Sequence, residues 1–259
     1  MRVYWRFFVN SLRDATEFRF DFLMGLLDLL VYMASIFFFW KFVFGESGGV
    51  GGWKVTDLML LGGFAGLYTS LNGFFSGCWY LSSKIMDGEL DKHLSRPVNV
   101  YFAVMAESLQ VDELIRGLLS FALIFGVYLV RSGAVPSPLP LAAAVLIFIC
   151  GTLSLVCMKS IVSLLTVWYG ELGAFRMLLH FEDLQFEKYP TTMYGRALSL
   201  AFNYVICIGL VATVPVMVLL GRAPLLSGIA LALFSLAAWS GLLALVFRKA
   251  MAHYESFGG

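Results

Sequence analysis

The sequence predicts an all-α polytopic membrane protein with six transmembrane helices and an N-terminal amphipathic interfacial helix. Hydrophobic residues make up 60% of the 259 residues and charged residues only 14%, whereas soluble domains carry about 25% charged residues. The mean hydropathy is +0.84. The apolar residues gather into six stretches, and a bilayer span needs about 20 such residues. These observations predict one transmembrane domain covering residues 1–259.

Residues 1–20 predict the interfacial helix. On a helical projection one face carries Arg2, Arg6, Asn10, Arg13 and Glu17, and the opposite face carries mainly aromatic and aliphatic side chains. Such a helix lies along the head groups with its aromatic side buried. A plain membrane anchor and an element that transmits motion both fit this pattern. These residues are too charged for a cleavable signal peptide.

Six apolar stretches follow, and they predict the spans. Their approximate ranges are 22–44, 55–81, 118–130 (extended backwards through Leu109), 139–158 (reaching towards Tyr169), 198–220 and 225–247. The loops on the side of both termini contain twelve Lys and Arg residues, and those on the other side contain four, Lys41, Lys54, Arg131 and Arg222. Because cytoplasmic loops are enriched in Lys and Arg, both termini are expected in the cytoplasm.

The connector 82–98 concentrates charge between two apolar stretches. It reads SSKIMDGELDKHLSRPV, and the pattern predicts a short helix over 82–95 that ends before Pro97. Met86, Leu90 and Leu94 lie four residues apart on one side, and Gly88 permits a bend. A solvated loop that sets topology is one interpretation. A helix docked on another protein is the other, since only the second has a use for an apolar stripe.

The second predicted span carries small residues at helical spacing. Gly62, Gly66, Ser70, Gly73 and Gly77 fall in one stripe, which permits close approach of helix backbones. Packing against a neighbouring span and a surface at a subunit interface or pathway both remain open. Asn72 lies beside the stripe and is a candidate for an interhelical hydrogen bond.

Ionisable residues at membrane depth are costly and usually paired. Asp28, Asp112, Arg116 and Lys159 are the candidates, and Asp112 and Arg116 are spaced to pair on one helix. Either they lie at the cytoplasmic head groups or they form a polar vestibule to a pathway. Residues 170–197 are expected to form a cytoplasmic connector that Tyr189 and Pro190 interrupt before the fifth span.

Three segments carry a family resemblance. IMDGELDKHLSRPV (residues 85–98) resembles the cytoplasmic connector of type-2 ABC exporter permeases, in the six-span branch with the pattern I-x-x-G-x-L-D-x-x-L-x-R-P-V. FEKYPTTMYGRALSLAFNYVICIGLVATVPVMVLL (residues 186–220) resembles that branch's fifth-span region. FRKAMAHYESFGG (residues 247–259) is similar to its final basic turn.

The resemblance implies a function for the connector. It would be a coupling helix resting on a cytoplasmic ATPase, with Ile85, Met86, Asp87, Gly88, Glu89, Leu90, Asp91, Leu94, Arg96 and Pro97 as the coupling residues. The complex would contain two ATPase subunits and a second permease, identical or homologous. ATP and Mg are expected on the ATPase, and no cofactor on this chain. The location implied is the prokaryotic cytoplasmic (inner) membrane.

The sequence also bears on other functions. It contains no G-x-x-x-x-G-K-[ST] phosphate loop, so ATP hydrolysis is expected on a partner and not on this chain. No metal site is expected, because His93, His180 and His253 lie far apart, and the four cysteines read as small core residues. A net charge of +1 gives no indication of nucleic-acid binding. An ATP-independent transporter or channel remains the alternative, and a membrane enzyme would need a convergent polar site.

Overall fold

The computed structural model describes residues 19–44, 49–50, 52–95, 97–133, 135–170 and 186–254. All but the last two residues of the predicted interfacial helix lie outside these ranges. Among the described residues, a single two-stranded antiparallel sheet pairs β1 (Gly49–Val50) with β2 (Trp53–Lys54). The α-helices are α1 (Arg19–Phe44), α2 (Val55–Phe74), α3 (Gly77–Met86), α4 (Asp91–Leu94), α5 (Val100–Glu107), α6 (Val111–Ser132), α7 (Pro138–Leu164), α8 (Thr166–Tyr169), α9 (Arg196–Leu200), α10 (Thr213–Leu219) and α11 (Leu225–His253).

The all-α polytopic membrane fold is confirmed. Among the described residues, four stretches are long and apolar enough to cross a membrane: Val55–Met86, Val111–Ser132, Pro138–Tyr169 and Leu225–His253. A bent pair of helices raises this count to five. The first of the six predicted spans is helical over Arg19–Phe44.

Helix ends follow the local sequence. Helix α6 stops at Gly133, whose φ of 62° is left-handed, a conformation that glycine adopts without a steric penalty. Helix α7 begins with Pro138 in its first turn, where the missing N–H costs no hydrogen bond. The predicted external turn between these two helices is therefore short because glycine ends one and proline starts the next.

The fifth predicted span is not one helix. Arg196–Val205 and Ile208–Leu219 meet at 75°, and the break is at Cys207, a non-glycine residue with φ of 66°. Its Sγ lies 2.8 Å from Ser235 Oγ on α11, and Ser235 donates to Ser154 Oγ on α7 at 3.1 Å. Asn203 Oδ1, from the first piece, occupies the space that a Cβ at Gly209 of the second piece would need. The continuous helix predicted over 198–220 is therefore wrong.

The two ends of the helix bundle are identified by contacts between loops. At one end Arg222, in the turn before α11, pairs with Asp57 on α2 at 2.6 Å. At the other end Ala250 of α11 and Leu90 of the connector share one apolar cluster with Val100 of α5. The predicted external loops thus share one end, and α11 reaches its carboxyl end beside the connector.

The described part of the predicted connector 170–197 lies at the opposite end of the bundle from the connector 82–98. Trp53 Nε1 donates to Thr192 Oγ1 at 3.0 Å, and the rings of Trp40 and Tyr189 lie 5.8 Å apart. Trp53 immediately precedes α2, at the end that carries the Asp57–Arg222 pair. This corrects the expectation that residues 186–197 share a side with the connector. Residues 171–185 lie outside the described ranges.

The small-residue stripe is a packing surface within the chain. Helix α2 packs against α1 and α6, and Gly66 is covered by the Tyr32 ring of α1, whose hydroxyl donates to the Gly62 carbonyl at 3.2 Å. Glu113 covers Gly73, and Ser70 lies where a Cβ at Gly117 of α6 would fall. Gly77, at the start of α3, faces the backbone of Met105 in α5. The stripe lets three neighbouring helices, α1, α5 and α6, approach α2 and α3.

Gly66→Leu is expected to lower the unfolding midpoint of the purified protein in detergent. A Cβ at Gly66 would lie 2.9 Å from the Tyr32 ring, and overpacking of this kind costs about 1–3 kcal/mol. Gly126→Leu is the matched control, since a Cβ there meets no described atom within 4 Å. Equal midpoints for the two variants would contradict the packing assignment.

Candidate functional site

The connector is two helical pieces joined by a turn. Helix α3 ends at Met86, Gly88 has φ of 71°, and α4 occupies only Asp91–Leu94. The prediction of one helix over 82–95 is wrong, whereas the bend expected at Gly88 is present. A side chain at Gly88 would strain the backbone, so this glycine sets the direction in which the rest of the connector leaves α3.

The turn divides the predicted apolar stripe between the interior and the surface. Leu90 is 0% exposed and packs, with Ile85, in the cluster that contains Val100. Met86 and Leu94 are 41% and 48% exposed. The prediction that Met86, Leu90 and Leu94 share one face is therefore wrong. Leu90 belongs to the core, whereas Met86 and Leu94 face outward.

The outward side of the connector mixes two apolar side chains with charge. Around Met86 and Leu94 lie the exposed residues Asp87, Glu89 and Pro97, and Asp91 is partly exposed. Arg96, the remaining predicted coupling residue, lies outside the described residues. We call the set Met86, Asp87, Glu89, Leu94 and Pro97 the connector surface. Exposed apolar side chains framed by carboxylates are a suitable docking surface for another protein.

Glu107 contacts two lysines and the histidine of the connector. Its carboxylate accepts from Lys84 at 2.6 Å, Lys92 at 2.9 Å and His93 at 3.1 Å. Glu107 is the last residue of α5, so these contacts fasten the connector to that helix. Much of the charge in the connector therefore serves an internal purpose. Sequence analysis missed this because the partners are 14 to 23 residues apart, which no helical spacing indicates.

Burial and charge act in opposite directions on this cluster. Burial by itself would raise the pKa of the Glu107 carboxyl, but hydrogen bonds from Lys84 and Lys92 outweigh it and lower that pKa to about 2. Burial lowers the pKa of His93 despite its contact with Glu107. At neutral pH the cluster therefore holds one carboxylate, two ammonium groups and a neutral imidazole.

Glu107→Gln is expected to destabilise the protein at neutral pH and much less in acid. A carboxylate with a lowered pKa contributes stability above its unfolded-state value of 4.5, and this is lost as the pH falls towards 2. Allowing for partial exposure, we expect about 1–3 kcal/mol at pH 7. The measurement is the unfolding midpoint of both proteins between pH 7 and pH 3.5. A pH-independent difference would contradict the ion-pair role.

Lys159 is buried inside the bundle. Its ammonium donates to Asn72 Oδ1 at 2.6 Å and lies 4.4 Å from the Trp79 ring centroid and 5.6 Å from that of Tyr68. Asn72 and Trp79 stand on either side of the break between α2 and α3 at Phe75. Lys159 of α7 therefore contacts both helices and is buried by protein. Asn72 forms the interhelical hydrogen bond that the sequence predicted.

The other membrane-depth candidates meet at one cavity. Arg116 pairs with Asp112 at 2.7 Å, as predicted, and also with Glu113. Asp28 and Arg116 line a polar cavity of about 320 Å³ between α1, α2 and α6. Arg116 packs so closely on α1 that a Cβ at Gly25 would lie 2.4 Å from its Cδ. Asp28, Arg116 and Ser70 are thus brought together, whereas Lys159 and the connector are separate sites.

Within the described ranges, no three His, Cys, Asp or Glu side chains are grouped to hold a metal ion.

Residues 30–258 match a family model whose description is ABC-2 family transporter protein. This stretch contains every candidate site residue except Asp28. No curated protein and no solved structure matches the chain significantly.

Proposed function

Because this chain belongs to the ABC-2 family of transporter proteins, we propose that it is the permease subunit of an ATP-driven exporter. Family membership makes the chain a membrane permease of ABC-type transport. Energy from ATP would reach it from ATPase subunits that are separate polypeptides, since the sequence has no phosphate loop. ATP and Mg would be bound there and not on this chain.

The observation that carries the proposal is the connector surface. Met86 is exposed at the end of a 32-residue helical stretch, Val55–Met86, that packs within the bundle, and exposed Leu94 follows in α4. Glu107 and buried Leu90 fix the connector to the rest of the protein. A force applied at this surface would therefore move α3 and α2 as one body, which is what coupling to an ATPase requires.

The proposed assembly has two permeases and two ATPases. The second permease is a copy of this chain or a homologue, and the pair forms the substrate pathway between them. The protein lies in the prokaryotic cytoplasmic (inner) membrane with both termini and the connector 82–98 in the cytoplasm. The Lys and Arg bias of the loops favours this orientation even when Lys188 and Arg196 are counted at the opposite end. The location of the end of α11 beside the connector also supports it.

Purification from the native host in mild detergent tests the proposal directly. An ATPase with a phosphate loop should co-purify with the tagged chain, and ATP hydrolysis should appear only in the complex. A chain that transports in reconstituted vesicles without ATP, and binds no ATPase, would overturn the proposal. A tagged membrane protein of similar size from the same host serves as the control for non-specific capture.

One observation favours the alternative of an ATP-independent transporter. The fifth predicted span is broken, with 75° between its two pieces, and discontinuous helices are frequent at the ligand sites of secondary transporters. Such transporters are commonly built from repeats with matching broken helices, and the two halves of this sequence show no repeat. The reconstitution experiment separates the two functions, since only one of them depends on ATP.

A further inference from the structure

Two neighbouring cavities share a wall beside α1. The polar cavity of about 320 Å³ contains Asp28, Glu113 and Arg116. The second, of about 190 Å³, is lined by the aromatic rings of Phe39, Trp40 and Tyr189. Tyr32 and Lys188 line both cavities. A molecule with a charged end and an apolar end would therefore find matching surroundings on the two sides of this wall.

The charges of the polar cavity fall into two groups. The Arg116 guanidinium is already paired with Asp112 and Glu113. Asp28 and Lys188 are in neither pair, and neither forms an ion pair with another described residue. Through space, Lys188 feels the negative charge of Glu187 and Asp28, and its ammonium lies 4.8 Å from the centroid of the Tyr32 ring. One carboxylate and one ammonium group thus face the same cavity without contact between them.

A charge at membrane depth is costly unless it is paired. A purely anionic ligand would pair Lys188 but face Asp28, and a purely cationic ligand would do the reverse. We propose that the polar cavity binds the zwitterionic head group of an amphiphile, with its anion on Lys188 and its cation on Asp28. The Tyr32 ring, already in contact with one ammonium group, offers a face to the ligand's cation as well.

The aromatic cavity accounts for the rest of the ligand. The rings of Phe39 and Trp40 lie 6.1 Å and 5.8 Å from that of Tyr189, both edge to face. These rings form an apolar wall directly beyond the Tyr32–Lys188 boundary. The ligand's alkyl chain would lie against them, so that both ends of the amphiphile are bound.

The test uses three ligands with the same twelve-carbon chain. Purified full-length protein is immobilised in dodecyl maltoside, which is uncharged, and loaded with radiolabelled dodecylphosphocholine. Unlabelled dodecylphosphocholine should displace the label at about tenfold lower mole fraction than dodecyl phosphate or dodecyltrimethylammonium, since it makes one more charge-assisted contact than either of them. Equal displacement by all three would overturn the proposal.

Single charge removals should change the selectivity in opposite directions. In the Lys188→Gln variant, dodecyltrimethylammonium should compete as well as dodecylphosphocholine. In the Asp28→Asn variant, dodecyl phosphate should compete as well as dodecylphosphocholine. Lys41→Gln is the matched control, because Lys41 lies over the Phe37 ring outside both cavities. Loss of label by both variants without a change in the ranking of competitors would contradict the assigned contacts.

The ligand can be a transported cargo or a resident membrane lipid. The assignment of the ligand as a transported cargo rests on the proposed function, whereas binding of the zwitterionic amphiphile in the two cavities does not. In vesicles that contain the permease and its ATPase, a cargo will move when ATP is added and a resident lipid will not. Failure to find any ATPase would overturn the proposed function and leave the charge-selective binding standing.

Discussion

Replacing Met86 and Leu94 together by aspartate is expected to abolish ATP-dependent transport while the permease still folds. Both side chains are about half exposed at the connector surface, so the monomer loses far fewer internal contacts than it would at a buried position. In a complex each would be buried against the ATPase, and two such apolar contacts are worth about 3–6 kcal/mol. This corresponds to a dissociation constant roughly 10²–10⁴-fold weaker. The measurement is capture of the ATPase by tagged permease, together with export from cells.

Leu90→Asp separates docking from folding. Leu90 is fully buried in the same connector, and an unpaired carboxylate there costs several kcal/mol. This variant should lower the unfolding midpoint of the isolated permease much more than the Met86 and Leu94 variant does. Met86→Gln with Leu94→Gln should give an intermediate loss of ATPase binding. Wild-type capture and export by the double aspartate variant would remove the main support for coupling through the connector.

Asn72→Leu is expected to cause a large loss of stability. The Asn72 amide oxygen accepts from the buried Lys159 ammonium at 2.6 Å, and replacing it by an apolar group removes this acceptor. Losing a hydrogen bond to a charged group costs about 1.5–3 kcal/mol. The break between α2 and α3 should loosen as well, because Lys159 contacts Trp79 beyond it. Thermal unfolding in detergent measures the effect.

A second substitution should restore much of this loss. Lys159→Met removes the charge and keeps a long apolar side chain, so Asn72→Leu with Lys159→Met should be more stable than Asn72→Leu alone. Lys159→Met by itself should be milder, since Asn72 still accepts from Trp79 Nε1 at 3.4 Å. If the double variant is no more stable than Asn72→Leu, the buried ammonium is not the source of the destabilisation.

The sequence by itself determined the properties that depend on local composition. Long apolar stretches specify helices in a membrane, because the bilayer leaves backbone groups no other partner. The spacing of Gly62, Gly66 and Gly73 indicated close helix packing, and the spacing of Asp112 and Arg116 predicted their ion pair. Both signals come from residues on one helix, where the geometry follows directly from the number of residues per turn.

Only the tertiary structure decided which residues meet across the chain. Glu107 collects three connector side chains, Lys159 is buried against Asn72, and Lys188 faces the same cavity as Asp28. The left-handed residues Gly88 and Cys207 redirected segments that a periodic pattern continues as straight helices. Periodicity records which side of a helix is apolar, but it does not distinguish lipid from protein as the covering medium. For this reason Leu90 and Leu94 look alike in sequence, although the fold buries one and exposes the other.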